Sequence, residues 1–251
     1  MKEILCDHAV LAPGHSARDT FSMLKERKIA MEQKPFSIGV RIEHSQDMID
    51  ISQYGRPHEE LGLPPAEYKL SYRCRGERRC REAVSESKLA AGRGVYTFCM
   101  CPGGQVINAS SEEGGVVVNG MSLHARDSGA ANSALLCDVR TEDFGSSDVL
   151  AGVEFQRQYE RRAYEAAGSR QVPPAGLLRD GKASDVESCL PEFAIEAFRE
   201  AMPELGKKLK GFDSDDAKIY AVETRSSSPV RILRGKDGQS FSAAGLYPCG
   251  E

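Results

Sequence analysis

Two thiols spaced two residues apart beside a glycine turn are the sharpest chemical feature of this sequence: Phe98-Cys99-Met100-Cys101-Pro102-Gly103-Gly104. On a strand, residues i and i+2 point to the same face, so both sulfurs are expected to face one pocket. Such a pair can exchange electrons, attack a substrate or bind a soft metal. The ordinary alternative is two small side chains buried under a β-turn, and a bare C-x-C favours it. Structural zinc needs further ligands. Cys74-x5-Cys80 lacks a zinc-knuckle spacing, and no histidine pair lies near it in the sequence.

Three other segments carry candidate chemistry. Pro13-Gly14-His15-Ser16-Ala17-Arg18 follows an apolar run and precedes an amphipathic one. That arrangement presents backbone N–H groups that suit a phosphate, although a lone glycine turn before a helix is common. Arg41, Glu43 and His44 fall on the polar side of an alternating strand, and a solvated sheet face is the expected explanation. Two arginines, Arg225 and Arg231, frame Ser226-Ser227-Ser228, a joint that is either a loop or a holder of an anion or carbonyl-bearing ring.

These residues need elements to position them. Ile4–Ala12 is expected as a buried parallel strand, and Ser16 as the cap of a helix that runs to about Met31, with Ala17, Phe21 and Leu24 on its apolar stripe. Phe36, Ile38, Val40 and Ile42 alternate with polar residues and predict a half-buried strand. A polar connection is expected over 54–65. Strands are expected at Val95–Cys101, Gln105–Ala109 and Val116–Asn119, separated by glycine-rich turns. A helix from near Asp148 carries Phe155, Tyr159, Ala163 and Ala166 on one face. Pro191 opens another, with Ala194, Phe198, Ala201, Met202 and Leu205 inward. Lys218–Thr224, Val230–Leu233 and Ala244–Tyr247 read as strands.

The reading is a mixed α/β (α+β) protein in three stretches. Residues 1–34 and 213–251 form one α/β layer, and 35–212 form an inserted β-rich and helical domain. The final Gly245-Leu-Tyr-Pro-Cys-Gly-Glu251 reads as a strand entering a tight turn whose helix does not follow, so the chain is expected to be cut at both ends.

Totals exclude several classes. A length of 251 residues suffices for a full core. A net charge of −4 gives no global basic field for nucleic acid. The apolar runs are too short to cross a bilayer and the start lacks a signal-peptide pattern, so no membrane role and a cytoplasmic location are expected. Eight scattered cysteines read as free thiols in a reducing compartment.

Five ordered motifs carry a resemblance over essentially the whole chain: Val10–Phe21, Lys34–His44, Tyr96–Gly104, Glu223–Ile232 and Gly245–Glu251. Together they resemble a bacterial family of uncharacterised FAD-dependent dehydrogenases, specifically the C-terminal domain. The fold this implies is an incomplete FAD-binding dinucleotide fold with an inserted second domain. Family members carry an N-terminal GxGxxG segment, and none occurs in these 251 residues. The resemblance implies FAD in the parent protein and weak or absent FAD binding by this fragment alone, with NAD(P)H as a candidate electron donor and an unknown small-molecule or redox partner. It implies cofactor contacts at Gly14, His15, Ser16, Arg225, Arg231, Gly250 and Glu251, and catalytic candidates at Cys99 and Cys101. No metal is expected. The fragment alone is expected to be inactive. The alternative is a non-enzymatic binding or interaction module with structural or metal-bound cysteines.

Overall fold

The computed structural model describes residues 4–80, 83–86, 89–178 and 186–250. Strand β1 (Ala9–Leu11), helix α1 (Arg18–Glu26) and strands β2 (Met31–Gln33) and β3 (Phe36–Ser45) come first, followed by helices α2 (Gln46–Tyr54) and α3 (His58–Leu61). Strands β4 (Ser71–Arg73), β5 (Glu77–Cys80), β6 (Ala83–Glu86), β7 (Gly94–Cys101), β8 (Gly104–Asn108), β9 (Val118–Ser122) and β10 (Ala130–Val139) follow. The rest is helix α4 (Ala151–Ala166), strand β11 (Ala175–Leu177), helix α5 (Glu192–Lys208) and strands β12 (Lys218–Glu223), β13 (Val230–Ile232) and β14 (Leu246–Pro248). The protein is mixed α/β, as the sequence implies.

The chain forms two compact units. One comprises Met1–Phe36, Val139–Gln156 and Arg225–Glu251, and the other Ser37–Asp138 and Arg157–Thr224. The boundaries differ from the three sequence stretches by two residues at 35–36 and, more widely, at two further places. Residues 139–156 lie in the first unit, and 213–224 lie in the second because β12 pairs with β3. Neither contact has a local sequence signature.

In the first unit, β1 and β14 pair in parallel, and β2 and β13 pair antiparallel. Phe21, Val153 and Val230 are its apolar centre, flanked by Met31, Val149 and Leu150. Phe144 stacks on Phe36, and Phe155 meets both rings. The parallel direction of β1 agrees with the sequence reading, but the expected burial does not. The strand spans only Ala9–Leu11, so Ile4 and Leu5 lie outside it and are exposed, and Val10 is exposed because a two-stranded pair cannot cover both of its faces. Helix α1 is also shorter than expected. It stops at Glu26, where Lys28 adopts φ 57° and Ile29 N–H donates back to Leu24 O, and Met31 is already in β2. Ser16 does not cap it. Ala17 is the cap residue, and the Ser16 hydroxyl bonds His15 Nδ1 at 2.8 Å.

The second unit is built on a six-stranded sheet in the order β11-β12-β3-β10-β7-β4. Ile38, Val40 and Ile42 are buried on one face of β3, as their alternation predicts. The opposite face is not solvated. Ser37 and Arg41 are buried there too, because the β8–β9 ribbon covers this face: β9 contacts β7 and β12, and its Asn119 bonds Arg41. His44, placed on the polar side by the sequence reading, shares the face of Ile42 and is buried against Phe212. Strand β10, the inner neighbour of β3, has no counterpart in the sequence reading. Ala130-Ala-Asn-Ser-Ala-Leu-Leu-Cys-Asp-Val139 is buried on both faces, so it shows no alternation. Helix α2 leads into the polar connection expected over 54–65, which is non-helical apart from the single turn of α3. Helix α5 buries Ala194, Phe198, Ala201, Met202 and Leu205 as expected, but begins at Glu192, with Pro191 as the extended cap residue rather than the first helical one. It contacts β4, β5 and β7. No helix among the described residues is long and apolar enough to cross a membrane.

Candidate functional site

Chemistry-bearing residues gather at two places, one in each unit. In the first unit, β1 and β14 run in the same direction and each ends in a proline–glycine or cysteine–glycine turn. A cavity of about 660 Å³ lies at these carboxyl ends. Gly14, His15, Arg231, Arg234, Cys249 and Gly250 line it, together with apolar residues that include Phe21, Val230 and Ile232. The carboxyl ends of parallel strands are where open α/β sheets bind ligands. Gly14 and Gly250 have φ of +73° and +106°, and a Cβ built on either would meet no atom within 4 Å. Their backbones therefore face open space, the condition for close approach of a ligand. Arg234 donates to the Pro248 carbonyl, which ties the two edges of this region together. Arg231 pairs with Glu32 at 2.8 Å on the exposed side of the β2–β13 ribbon.

The cavity thus unites four of the residues expected to contact a cofactor: Gly14, His15, Arg231 and Gly250. Ser16 does not line it, although its hydroxyl bonds His15. Arg225 is half-buried and does not line it. Glu251 lies outside the described residues.

In the second unit, the centre is Arg41, whose side chain has no exposed surface. Its Nε donates to Glu223 Oε2 at 2.5 Å and its Nη2 to Glu223 Oε1 at 3.3 Å. Nη2 also donates to Asn119 Oδ1 at 2.7 Å. Nη1 donates to the Cys99 carbonyl at 2.8 Å and to Asn132 Oδ1 at 3.2 Å, and reaches Cys101 Sγ at 3.9 Å. A buried guanidinium satisfied at every nitrogen is the arrangement that a desolvated charge requires.

Two β-bulges assemble this group. Across β12 and β3, Tyr220 faces Arg41 and Ala221 faces Val40, but Glu223 rather than Val222 faces Gly39. Regular pairing would send Glu223 to the face opposite Arg41. The extra residue shifts its parity and turns it toward the guanidinium. Across β7 and β10, Phe98 faces Ala134 but Cys101 faces Asn132, so three residues of β7 span two of β10. This second bulge brings Cys101 to the face of Asn132 and Arg41. It also corrects the expectation that Cys99 and Cys101 alternate regularly on one face. Cys99 sits in the bulge with φ 49°, an unusual conformation for a residue with a Cβ. Cys99 is exposed and Cys101 half-buried, so two thiols buried under a turn is not the arrangement found.

Electrostatics follow from this burial. Desolvation pushes the Cys101 thiol up from its ordinary range, with the Arg41 charge opposing. Burial likewise raises the Glu223 carboxyl against the pull of Arg41. On the sheet's other face, burial raises the Tyr68 hydroxyl, which bonds Ser133 at 2.9 Å. Burial lowers His44, partly offset by its bond to the Phe212 carbonyl. Cys74, buried just after β4, is pushed up to about 12 by desolvation, then by Glu200.

Sequence reasoning missed Arg41, Glu223, Asn119 and Asn132 as a group. The available signal was Arg41 at the centre of an apolar strand, beside Gly39. A Cβ on Gly39 would lie 2.9 Å from the Leu135 carbonyl carbon, so β10 approaches closely there. Among the described residues, the one set of three close His, Cys, Asp or Glu groups is Asp50, His58 and Glu59. Gln46, the Ala66 N–H and His58 already bond Asp50, an arrangement that locks the turn after α2.

The chain belongs to the family described as FAD-dependent protein, C-terminal domain-like, whose model matches residues 35–183 and 177–226. An uncharacterized protein of Clostridium beijerinckii (strain ATCC 51743 / NCIMB 8052) is 42% identical over 270 residues. That match covers 100% of this chain and 48% of the relative, so the chain spans about half the relative's length.

Proposed function

We propose that this chain is the flavin-contacting and substrate-side portion of an FAD-dependent oxidoreductase, a dehydrogenase that works in the cytoplasm. The observation that carries the proposal is the cavity at the carboxyl ends of β1 and β14. Its volume suits a cofactor portion, and its lining mixes apolar walls with a few polar groups. Gly14 and Gly250 would let backbone approach the ligand, and His15 and Arg231 would orient its polar part. The residues present fit FAD in this respect: open backbone at two left-handed glycines, an apolar wall and cationic side chains. Bound FAD would supply two-electron transfer, while the protein supplies binding, orientation and exclusion of water. The proposal extends to NAD(P)H as electron donor and to a small-molecule or redox partner as acceptor, both resting on the resemblance of the five sequence motifs.

Titration of the isotope-labelled chain with FAD, read by amide chemical shifts, tests the contact. Shifts concentrated at Gly14, His15, Ser16, Gly235 and Gly250 support it. Shifts confined to the second unit, or none at millimolar FAD, sink it. For the oxidoreductase reading, anaerobic NADH or NADPH added to the flavin-loaded longer relative should bleach the flavin absorbance. An unchanged flavin spectrum with both donors removes NAD(P)H.

A further inference from the structure

We propose that Cys99 and Cys101 form a thiol–disulfide redox couple, with Cys99 as the entering thiol, Cys101 as the resolving thiol and low-molecular-weight disulfides as the oxidant. The inference does not depend on flavin. It rests on geometry at the β7 bulge.

Cys99 is the exposed partner, held at φ 49° where the bulge lifts it out of the regular ladder. Cys101 is set deeper, and its sulfur turns back toward residue 99, lying 3.5 Å from the Cys99 carbonyl oxygen. The same carbonyl accepts from Arg41 Nη1, whose other contacts clamp it to Glu223, Asn119 and Asn132. One rigid cation therefore fixes both the backbone of Cys99 and the sulfur of Cys101. Glycines leave the space that this needs. A Cβ on Gly120 would lie 2.8 Å from Cys101 Sγ, and one on Gly104 2.9 Å from its Cβ. The remaining buried cysteines, Cys74, Cys137 and Cys189, lack such access.

The chemistry balances as two displacements. The Cys99 thiolate attacks one sulfur of R–S–S–R, whose S–S bond breaks, and one thiolate leaves while a Cys99 mixed disulfide forms. Cys101 then loses its proton to solvent and attacks Cys99 Sγ, releasing the second thiolate and closing the Cys99–Cys101 bond. Two protein thiols are oxidised and one small disulfide is reduced to two thiols. Burial keeps Cys101 protonated until the mixed disulfide is presented, and Arg41 stabilises the thiolate that forms transiently. An exposed entering thiol and a sheltered resolving thiol follow from these positions.

The test is equilibration of the folded chain with glutathione at a series of reduced-to-oxidised ratios, followed by acid trapping, alkylation and mass spectrometry. The expected result is loss of two hydrogens, located on the peptide carrying Cys99 and Cys101 and reversed by dithiothreitol. In the Cys101→Ser variant a glutathione adduct should accumulate on Cys99, and in Cys99→Ser neither product should form. The wild-type measurement stands even where a variant folds poorly. Free thiols at every ratio overturn the proposal. So do a lasting glutathione adduct on wild-type Cys99, cross-links to Cys6 or Cys249, and thiols that alkylate only after chelation.

Discussion

The two candidate regions present chemistry in opposite ways. The first unit's cavity uses backbone: left-handed glycines at strand ends, open space around them and few charges, each exposed or paired at the rim. The second unit's site uses side chains: a fully buried Arg41, a carboxylate, two amides and a sulfur, locked together between the six-stranded sheet and the β8–β9 ribbon. The difference teaches where tolerance lies. A backbone site at a turn depends on local conformation and survives changes around it. A buried charge network depends on every partner, because desolvated charges left unpaired are costly.

Changes at the buried site test this most severely. Arg41→Met should destabilise the protein by about 3–5 kcal/mol, because it leaves Glu223 buried without its cation. Chemical denaturation measures it. The double variant Arg41→Met, Glu223→Leu should recover much of that loss. A double variant no more stable than the single would show that packing, rather than the stranded charge, sets the cost.

Gly120→Ala should come next, at about 1–3 kcal/mol, since its Cβ would crowd Asn132, Arg41 and Cys101 at once. Thiol reactivity of Cys101 should change with it. Gly14→Ala in the cavity should cost only about 1–2 kcal/mol, because the strain is in φ and no atom is met. If Gly14→Ala proves as damaging as Gly120→Ala, the contrast between open turn and packed site fails.

The mildest test is pH. His44 is held below its ordinary pKa of 6.5, first by burial. Its carbonyl hydrogen bond and the charges of Asp216 and Glu43 act the other way. The unfolded chain therefore binds the proton more readily. Stability tied to His44 is complete above 6.5 and declines as pH falls below it toward the folded value. Thermal unfolding of wild type and His44→Gln from pH 7.5 to 5.0 should show a shallower slope in the variant. Parallel slopes would remove His44 as the cause.

How much of this was legible follows the range of the interactions. Turns at Gly14 and Gly103, the apolar face of α5 and the strand at 94–101 are local, and the pattern of neighbouring residues reports them. Strand β10 was invisible because a strand buried on both faces loses its period of two, and Ala-Ala-Asn-Ser is poor in β-branched residues. Arg41 was misread as solvated because polarity at alternate positions ordinarily means water, and only the neighbouring strands reveal otherwise.

The sequence by itself determined a mixed α/β chain, its family, its glycine turns and the C-x-C pair. Only the tertiary structure decided which residues those features serve. One bulge in β12 and one in β7 each shift a strand by a single residue. A shift of one reverses the face on which every later side chain lies, so Glu223 and Cys101 meet Arg41 across 182 and 60 residues of chain. No spacing in the linear sequence encodes such a meeting, because parity along a strand is set by the strand it pairs with.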